Sequence, residues 1–196
     1  VMFNLQNAEP VGSDLDRVDK LHELGVRSMQ LAYNLRTRYA DGCLETNDGG
    51  LSRFGAALIE KMNATGIMVD LSHASAGTAR DAVANPRRPV IASHTAARNI
   101  SGHPRGLWDE TLKGIADSGG YAGIVILPAF IVGADGNDNA EKVGKPRSWA
   151  TFDVVVDHIL HLVNVMGADH VGVGTDWGKP YYNALTWTPE MVKPQK

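Results

Sequence analysis

The sequence predicts an α/β fold in which parallel strands alternate with helices, and two patterns predict it. Short apolar runs and amphipathic helical segments alternate along the 196-residue chain, as in βα units packed around a parallel sheet. Three of the apolar runs end in a polar side chain that can bind metal or move protons: His73, His94 and Asp176. Because the carboxyl ends of parallel strands meet at one edge of a sheet or barrel, these side chains are expected to converge there.

The first half of the chain predicts three strands, each followed by a helix. Ser13, with Asp16 three residues later, is a capping signal, and Gly25 ends that helix. The predicted strands are 1–5, 26–32 and 67–71, and the predicted helices are 13–24, 52–65 and 75–84. A polar, glycine-containing loop over 34–50 separates the second strand from its helix.

The second half predicts three more strands, at 90–92, 123–127 and 170–174, with helices at 109–117 and 152–166. Pro86 and Pro89 bracket the turn into the fourth strand, where neither a helix nor a central strand can continue. Loops are expected over 95–108 and after Leu127.

Six strands with five intervening helices are fewer than the eight of a (β/α)8 barrel, which typically takes about 250 residues. The expectation is a single domain over 1–196 of the (β/α)8 TIM-barrel type, incomplete by two strands. Such a barrel has two open strand edges, which predicts self-association.

Composition excludes several classes of function. The formal charge is −3 with no cluster of Lys or Arg, which argues against a nucleic-acid partner. Cys43 is the single cysteine, so a cysteine-rich zinc site is excluded.

The longest apolar stretch, 121–134, contains Pro128 and is shorter than the roughly 20 residues of a membrane-spanning helix. The compartment stays open, because no signal peptide is recognised at Val1 and the natural N-terminus is expected to be missing. No phosphate-binding glycine loop or G-x-S-x-G elbow is present.

Four side chains are candidates for chemistry. His73 and His94 lie 21 residues apart, one strand–helix repeat, and imidazole nitrogens from adjacent strands can share one zinc ion. Asp176 can take a proton from water and pass it to a leaving amine. Arg105 can hold a substrate carboxylate with two hydrogen bonds. For each of them a purely structural or solvated role remains the alternative.

The remaining histidines and one aspartate are weaker candidates. Asp70, three residues before His73, either orients another ligand or bonds locally. His103 shares the loop of Arg105 and is left open. The others are assigned to structure or solvent: His22, His158, His161 and His170.

Five stretches in fixed order carry a resemblance to a known family: 25–34, 50–55, 66–75, 89–95 and 167–177. With these stretches the chain resembles the zinc-dependent membrane (renal) dipeptidases of the amidohydrolase superfamily. The resemblance covers nearly the whole chain.

The resemblance implies a β/α barrel whose strand ends bind two zinc ions, with His73 and His94 as ligands of the second ion. It also implies that Asp176 is the acid/base carboxylate and that Arg105 binds the terminal carboxylate of the dipeptide. By this resemblance the first two barrel strands, with the family's H-x-D ligand pair, would lie upstream of Val1, and most of the family's C-terminal segment after the last strand would be missing as well. The bridging glutamate corresponds to Gln6, a weaker metal ligand, and a substrate-facing histidine corresponds to Tyr33, which can still donate a hydrogen bond.

We therefore expect one zinc ion, not two, and a metal-dependent dipeptidase that cleaves a small dipeptide, or a related amide such as a β-lactam, with metal-activated water. Two alternatives are open. The chain is a truncated or degenerate barrel with weak or no catalysis, or it is a mononuclear amidohydrolase acting on another acyl-amino acid.

Overall fold

Six parallel strands and seven α-helices make up the described part of the protein, residues 2–132 and 152–176 of a computed structural model. The strands are β1 (Phe3–Leu5), β2 (Val26–Gln30), β3 (Met68–Asp70), β4 (Ala92–Thr95), β5 (Ala122–Ile124) and β6 (Val171–Val173). The helices are α1 (Arg17–Glu23), α2 (Arg53–Thr65), α3 (Ala76–Val83), α4 (Arg98–Ser101), α5 (Asp109–Asp117), α6 (Pro128–Ile131) and α7 (Phe152–Met166). Short 3₁₀ turns lie at Glu9–Val11 and Ala168–His170.

The strands follow one another in chain order. β1, β2 and β3 pair in parallel, as do β4, β5 and β6. A parallel bridge between Asp70 and Ile91 joins the two groups, with Leu71 N–H donating to Ile91 O at 2.8 Å and Ile91 N–H donating to Val69 O at 2.9 Å. All six carboxyl ends therefore lie at one edge, as predicted for part of a β/α barrel.

The predicted helix boundaries are confirmed where the sequence carries a capping signal. Ser52 Oγ accepts from Gly55 N at the start of α2, and Gly66 ends that helix with φ of 94°. Ser75 Oγ accepts from Thr78 N at the start of α3. The first helix differs, because α1 begins at Arg17 rather than near Ser13.

The predicted bounds of β4 and β5 are wrong by one to three residues. Ile91 forms its backbone hydrogen bonds with the segment of β3. The next residues bond to the segment of β5 instead: Ala92 N–H donates to Tyr121 O at 2.9 Å, and Thr95 O accepts from Val125 N–H at 2.8 Å. Pairing with β5 thus carries β4 through His94, so this histidine lies inside the strand instead of just beyond it. The apolar run at 90–92 predicted the buried start of β4, but hydrogen bonding with β5 decides where β4 ends.

Val1, residues 133–151 and the residues after Asp176 lie outside the described ranges. The predicted first residue of the opening strand, most of the predicted loop before α7 and Trp177 of the last matching stretch fall there. Among the described helices, none is long and apolar enough to cross a bilayer.

The apolar core lies between the strands and the surrounding helices. Its fully buried side chains include Met29, Leu58, Met62, Ile67, Leu71, Leu112, Ile115, Ile124 and Leu162. The strands β4 and β6 also approach each other closely, because a Cβ at Gly174 would collide with the carbonyl group of Ser93. A glycine directly after β6 therefore lets the end of that strand approach β4.

A structural role for His158, on α7, is supported by its contacts. It is fully buried, Nδ1 accepts from Ala97 N–H at 3.0 Å, and Nε2–H donates to Ile131 O at 2.9 Å. This arrangement requires the neutral ring. Burial lowers the pKa of His158, an effect that the Ile131 carbonyl partly opposes.

A pH-dependent stability follows from the buried neutral ring of His158. Because its pKa is lower in the folded protein than in the unfolded chain, the unfolded state binds more protons below about pH 6.5. Stability from this group is present above that pH and is lost as pH falls, by at most about 1.4 kcal/mol per pH unit. Chemical denaturation at pH 7 and pH 5 should show a smaller loss for His158→Gln than for the wild type. Equal losses in the two proteins would contradict the assignment.

Candidate active site

The two candidate histidines meet at the carboxyl edge of the sheet. His73 follows β3 and His94 lies in β4, and their side chains bring Nε2 to within 3.1 Å of Nε2. Both are nearly inaccessible, with relative exposures of 3% and 5%. Asp176, three residues beyond β6, places Oδ1 3.9 Å from His94 Nε2. The structure thus brings together the three side chains that ended apolar runs in the sequence.

His73 and Asp176 also share an unusual backbone conformation. Their φ angles are 67° and 55°, and they are the only non-glycine residues with positive φ among those the structure describes. A non-glycine residue in this region costs about 1–3 kcal/mol, and such residues are common at functional sites. At His73 the conformation is supported by Cys43, whose N–H donates to the His73 carbonyl at 2.9 Å.

Both rings are held through Nδ1. Asn34 Oδ1 lies 2.7 Å from His73 Nδ1, and this amide oxygen also accepts from Cys43 Sγ. Ser93 Oγ lies 2.8 Å from His94 Nδ1. The Asn34 oxygen can only accept, so His73 Nδ1 carries hydrogen. The single hydroxyl hydrogen of Ser93 is donated to Asp70 Oδ2 at 2.5 Å, so the Ser93 oxygen accepts from His94 and Nδ1 of that ring carries hydrogen as well. Each Nε2 therefore directs a lone pair toward the other, an arrangement that a cation between them would stabilise.

The electrostatic environment keeps both rings neutral. Burial lowers the pKa of His73 to about 2, and electrostatic interactions with Arg105 and His94 contribute in the same direction. Burial and Arg105 also lower the pKa of His94, although Asp176 and Asp70 act in the opposite direction. Neutral imidazole is the form that binds a metal, so protons do not compete for these nitrogens near neutral pH.

The histidine pair fits a zinc ion in donor type and spacing. Tetrahedral zinc with Zn–N bonds of about 2.0–2.1 Å holds two nitrogen ligands roughly 3.3–3.4 Å apart, close to the observed 3.1 Å. Hydrogen-bonded Nδ1 atoms are typical of metal-binding histidines. No group of three or more His, Cys, Asp or Glu side chains with metal-binding geometry occurs within residues 2–132 and 152–176. The described residues therefore offer two ligands, and Asp176 does not complete a group of three.

Arg105 is a buried cation beside the pair. It is 3% exposed, and its Nη2 donates to the His94 carbonyl at 3.1 Å. Nε and Nη1 have no hydrogen-bond partner in the described part of the chain. The guanidinium also lies over the Phe130 ring at 5.1 Å. Burial lowers the pKa of Arg105, but a guanidinium stays charged at neutral pH, so its donors are available to an anion.

The loop of Arg105 is supported by His103, which the sequence left unassigned. His103 Nδ1 accepts from the backbone N–H of Arg105 at 3.1 Å, and its ring packs against Phe130 at 5.1 Å. Burial lowers the pKa of His103, which favours the neutral acceptor form. His103 therefore contacts the backbone of this loop.

Tyr33 and Gln6 are placed differently with respect to the pair. The Tyr33 ring stacks on His73 with centroids 4.0 Å apart and remains 43% exposed. An open cleft of about 460 Å³ begins at Tyr33 and Asn34. Gln6 follows β1 and is exposed, and none of the hydrogen bonds or ring contacts found among the described residues joins it to the histidines. The structure thus brings Tyr33, but not Gln6, into contact with the pair.

Two contact residues, Asn34 and Ser93, were missed by sequence reasoning. In a regular strand the side chains of Ser93 and His94 would point to opposite faces. The register of β4 with β5 is irregular between Ala92 and Thr95, and this irregularity lets the two neighbouring side chains meet. For Asn34 the sequence offers no local signal, because its partner His73 lies 39 residues away.

The remaining histidines make contacts outside the pair. His161 Nε2 lies 2.7 Å from Asp109 Oδ1, and His170 Nδ1 lies 2.7 Å from the Gly120 carbonyl. His22, on α1, is half-buried, and its carbonyl accepts from the Arg27 side chain. The side-chain contacts of His161 and His170 agree with structural roles.

Comparison with known proteins identifies related sequences over most of the chain. The model of the membrane dipeptidase family, peptidase family M19, matches residues 1–185. An uncharacterized dipeptidase of Schizosaccharomyces pombe is 33% identical over 181 residues, 90% of this chain and 41% of that protein. Dipeptidase verJ of Clonostachys rogersoniana is 33% identical over 159 residues, 80% of this chain and 37% of that protein.

Solved structures of similar proteins also match most of the chain. An amidohydrolase from Pseudomonas aeruginosa has a TM-score of 0.78 and 32% identity, covering 91% of this chain and 51% of its own. A metallopeptidase from Rhodobacter sphaeroides, liganded with a phosphinate mimic of the dipeptide L-Ala-D-Ala, has a TM-score of 0.76 and 27% identity, covering 90% and 49%. The chain therefore spans about two-fifths of the curated relatives and half of the solved ones.

Proposed function

Because the chain belongs to the membrane dipeptidase family of metallopeptidases, family M19, we propose that it is a mononuclear zinc-dependent dipeptidase. Its substrate is a small dipeptide or a related amide such as a β-lactam. The observation that carries the proposal is the pair of buried, neutral histidines, whose Nε2 atoms face each other at 3.1 Å beside Asp176 and Arg105.

In this proposal His73 and His94 hold the zinc ion through Nε2. When bound, the ion polarises the scissile carbonyl and makes water a stronger nucleophile. Asp176 accepts the proton released by the attacking water and delivers it to the leaving amine. Its distance of 3.9 Å from His94 Nε2 supports this role, since the carboxylate lies beside the ligands without displacing them.

Arg105 binds the substrate's terminal carboxylate. Nε and Nη1 are unpartnered, and Nη2 retains a second hydrogen beyond the one donated to His94 O. The guanidinium can therefore form two parallel hydrogen bonds to a carboxylate. Tyr33, stacked on His73, donates its hydroxyl hydrogen to the substrate carbonyl oxygen.

The deciding experiment is zinc content per chain after dialysis, measured on the preparation assayed for amino-acid release from a mixed dipeptide panel. About one zinc per chain with turnover is the expected result. Loss of turnover on chelation and its recovery with added zinc would tie the two together.

Two other outcomes would overturn the proposal. A protein with neither zinc nor turnover would be a degenerate barrel, an alternative favoured by the exposed position of Gln6. Retained zinc without dipeptide cleavage would point to another acyl-amino-acid substrate. Self-association remains a prediction, which light scattering tests.

A further inference from the structure

A buried carboxylate lies beneath the histidine pair. Asp70 is 1% exposed, and no ion pair to it is found among the described residues. Its oxygens accept from Asn4 Nδ2 at 2.6 Å, Ser72 N at 3.0 Å, Ser93 N at 3.0 Å and Ser93 Oγ at 2.5 Å. A buried charge is costly unless it is well hydrogen-bonded, and here four neutral donors from β1, β4 and the residues after β3 surround it.

Ser93 connects this carboxylate to the candidate ligand His94. Its one hydroxyl hydrogen goes to Asp70 Oδ2, so the Ser93 oxygen must accept from His94 Nδ1–H at 2.8 Å. The direction of both hydrogen bonds is therefore fixed by proton count. The backbone N–H of His94 is also held, since it donates to Ser72 Oγ at 3.0 Å.

His73 is supported differently. Its Nδ1 faces the neutral amide oxygen of Asn34 at 2.7 Å, with no carboxylate in that contact. An amide oxygen accepts one hydrogen bond from the ring, whereas the Ser93 oxygen is polarised by the Asp70 charge behind it. The two histidines are thus held by partners of different strength.

We propose that Asp70 and Ser93 are positioning residues, which fix His94 as the Nδ1–H tautomer and aim its Nε2 lone pair at the metal. These three residues are called the Asp70/Ser93/His94 relay. This proposal rests on the proposed function and extends it. Asp70 and Ser93 are not metal ligands themselves, but they set the orientation of the ligand His94. Loss of such a partner typically weakens metal binding by about 10–100-fold.

Two substitutions of the same shape test the relay. Ser93→Thr keeps a hydroxyl, whereas Ser93→Val removes it at nearly equal volume. Zinc affinity, measured by chelator competition, is expected to be about 10–100-fold weaker for Ser93→Val than for Ser93→Thr. Asp70→Asn, which keeps the shape but removes the charge, is expected to weaken zinc binding in the same direction.

The second measurement needs no metal. Long-range ¹⁵N–¹H spectra of the metal-free protein report which ring nitrogen of His94 carries hydrogen. Wild type and Ser93→Thr should show the Nδ1–H form, and Ser93→Val a mixture of both tautomers. A merely structural Ser93 would change the melting temperature without changing this signature. A matched control is Thr65→Val, which removes a hydroxyl–carboxylate bond to Asp19 outside the site and should change neither readout.

The outcomes separate this inference from the proposed function. If the wild type binds no zinc, the proposed function fails, and the tautomer comparison still decides whether the relay exists. If Ser93→Val keeps both the wild-type tautomer and the wild-type zinc affinity, the relay is overturned while the zinc site stands.

Discussion

Replacing His94 with alanine is expected to remove both bound zinc and metal-dependent turnover. The described residues offer two nitrogen ligands, His73 and His94, with Nε2 atoms 3.1 Å apart. Replacing either histidine therefore leaves only one of these two ligands. Since loss of a partner that only orients a ligand costs about 10–100-fold, loss of the ligand itself should lower kcat/KM by more than a hundredfold. His73→Ala is expected to give the same result.

The measurement is zinc per chain by elemental analysis beside kcat/KM on the best dipeptide of the panel. His161→Ala is the matched control, because this histidine contacts Asp109 on the helical layer and should leave zinc and turnover unchanged. Wild-type zinc content in His94→Ala would remove this histidine from the ligand set.

Arg105→Met is expected to have opposite effects on binding and on stability. Charge-assisted hydrogen bonds contribute about 1.5–3 kcal/mol each, so losing two bonds to the substrate carboxylate should raise KM by about a hundredfold or more. The same change removes a buried cation that has two unpartnered nitrogens. Because an uncompensated buried charge is costly, a packed thioether of similar length should raise the melting temperature.

Arg27→Met is the contrasting control. Arg27 is half-buried, and its Nη1 donates to the carbonyls of His22 and Val26 at 2.7 and 2.8 Å. Its loss should lower the melting temperature and leave KM unchanged. An Arg105→Met protein that is less stable than the wild type, with unaltered KM, would show that Arg105 is a structural cation and not a substrate anchor.

Backbone strain at the site supports the same residues independently of their side chains. His73 and Asp176 have positive φ although neither is glycine, and such conformations persist only where the surrounding structure holds them. At His73 the support is visible: Cys43 N–H binds its carbonyl and Asn34 binds its ring. The loop between β2 and α2 therefore helps to set the position of a residue that follows β3.

The sequence predicted the strand order and the residues near the carboxyl edge. Alternating apolar and amphipathic segments gave six strands in the correct order, and Ser52, Gly66 and Ser75 marked helix ends that the structure confirms. Capping and periodicity act over a few residues, so they can be read along the chain. Convergence of His73 and His94 followed from the parallel sheet alone, since equivalent strand ends must meet.

The orientation of those side chains was decided by the tertiary structure. Ser93 meets His94 because the β4–β5 register is irregular, and Asp70 reaches Ser93 from 23 residues away. Whether Arg105 has partners, and whether Gln6 contacts the histidines, depends on packing between segments distant in sequence. By itself the sequence determined that His73 and His94 meet at the carboxyl edge, because local patterns set the strands and the caps. Only the folded molecule decided which atoms face each other, because register, bulges and burial arise from contacts between strands.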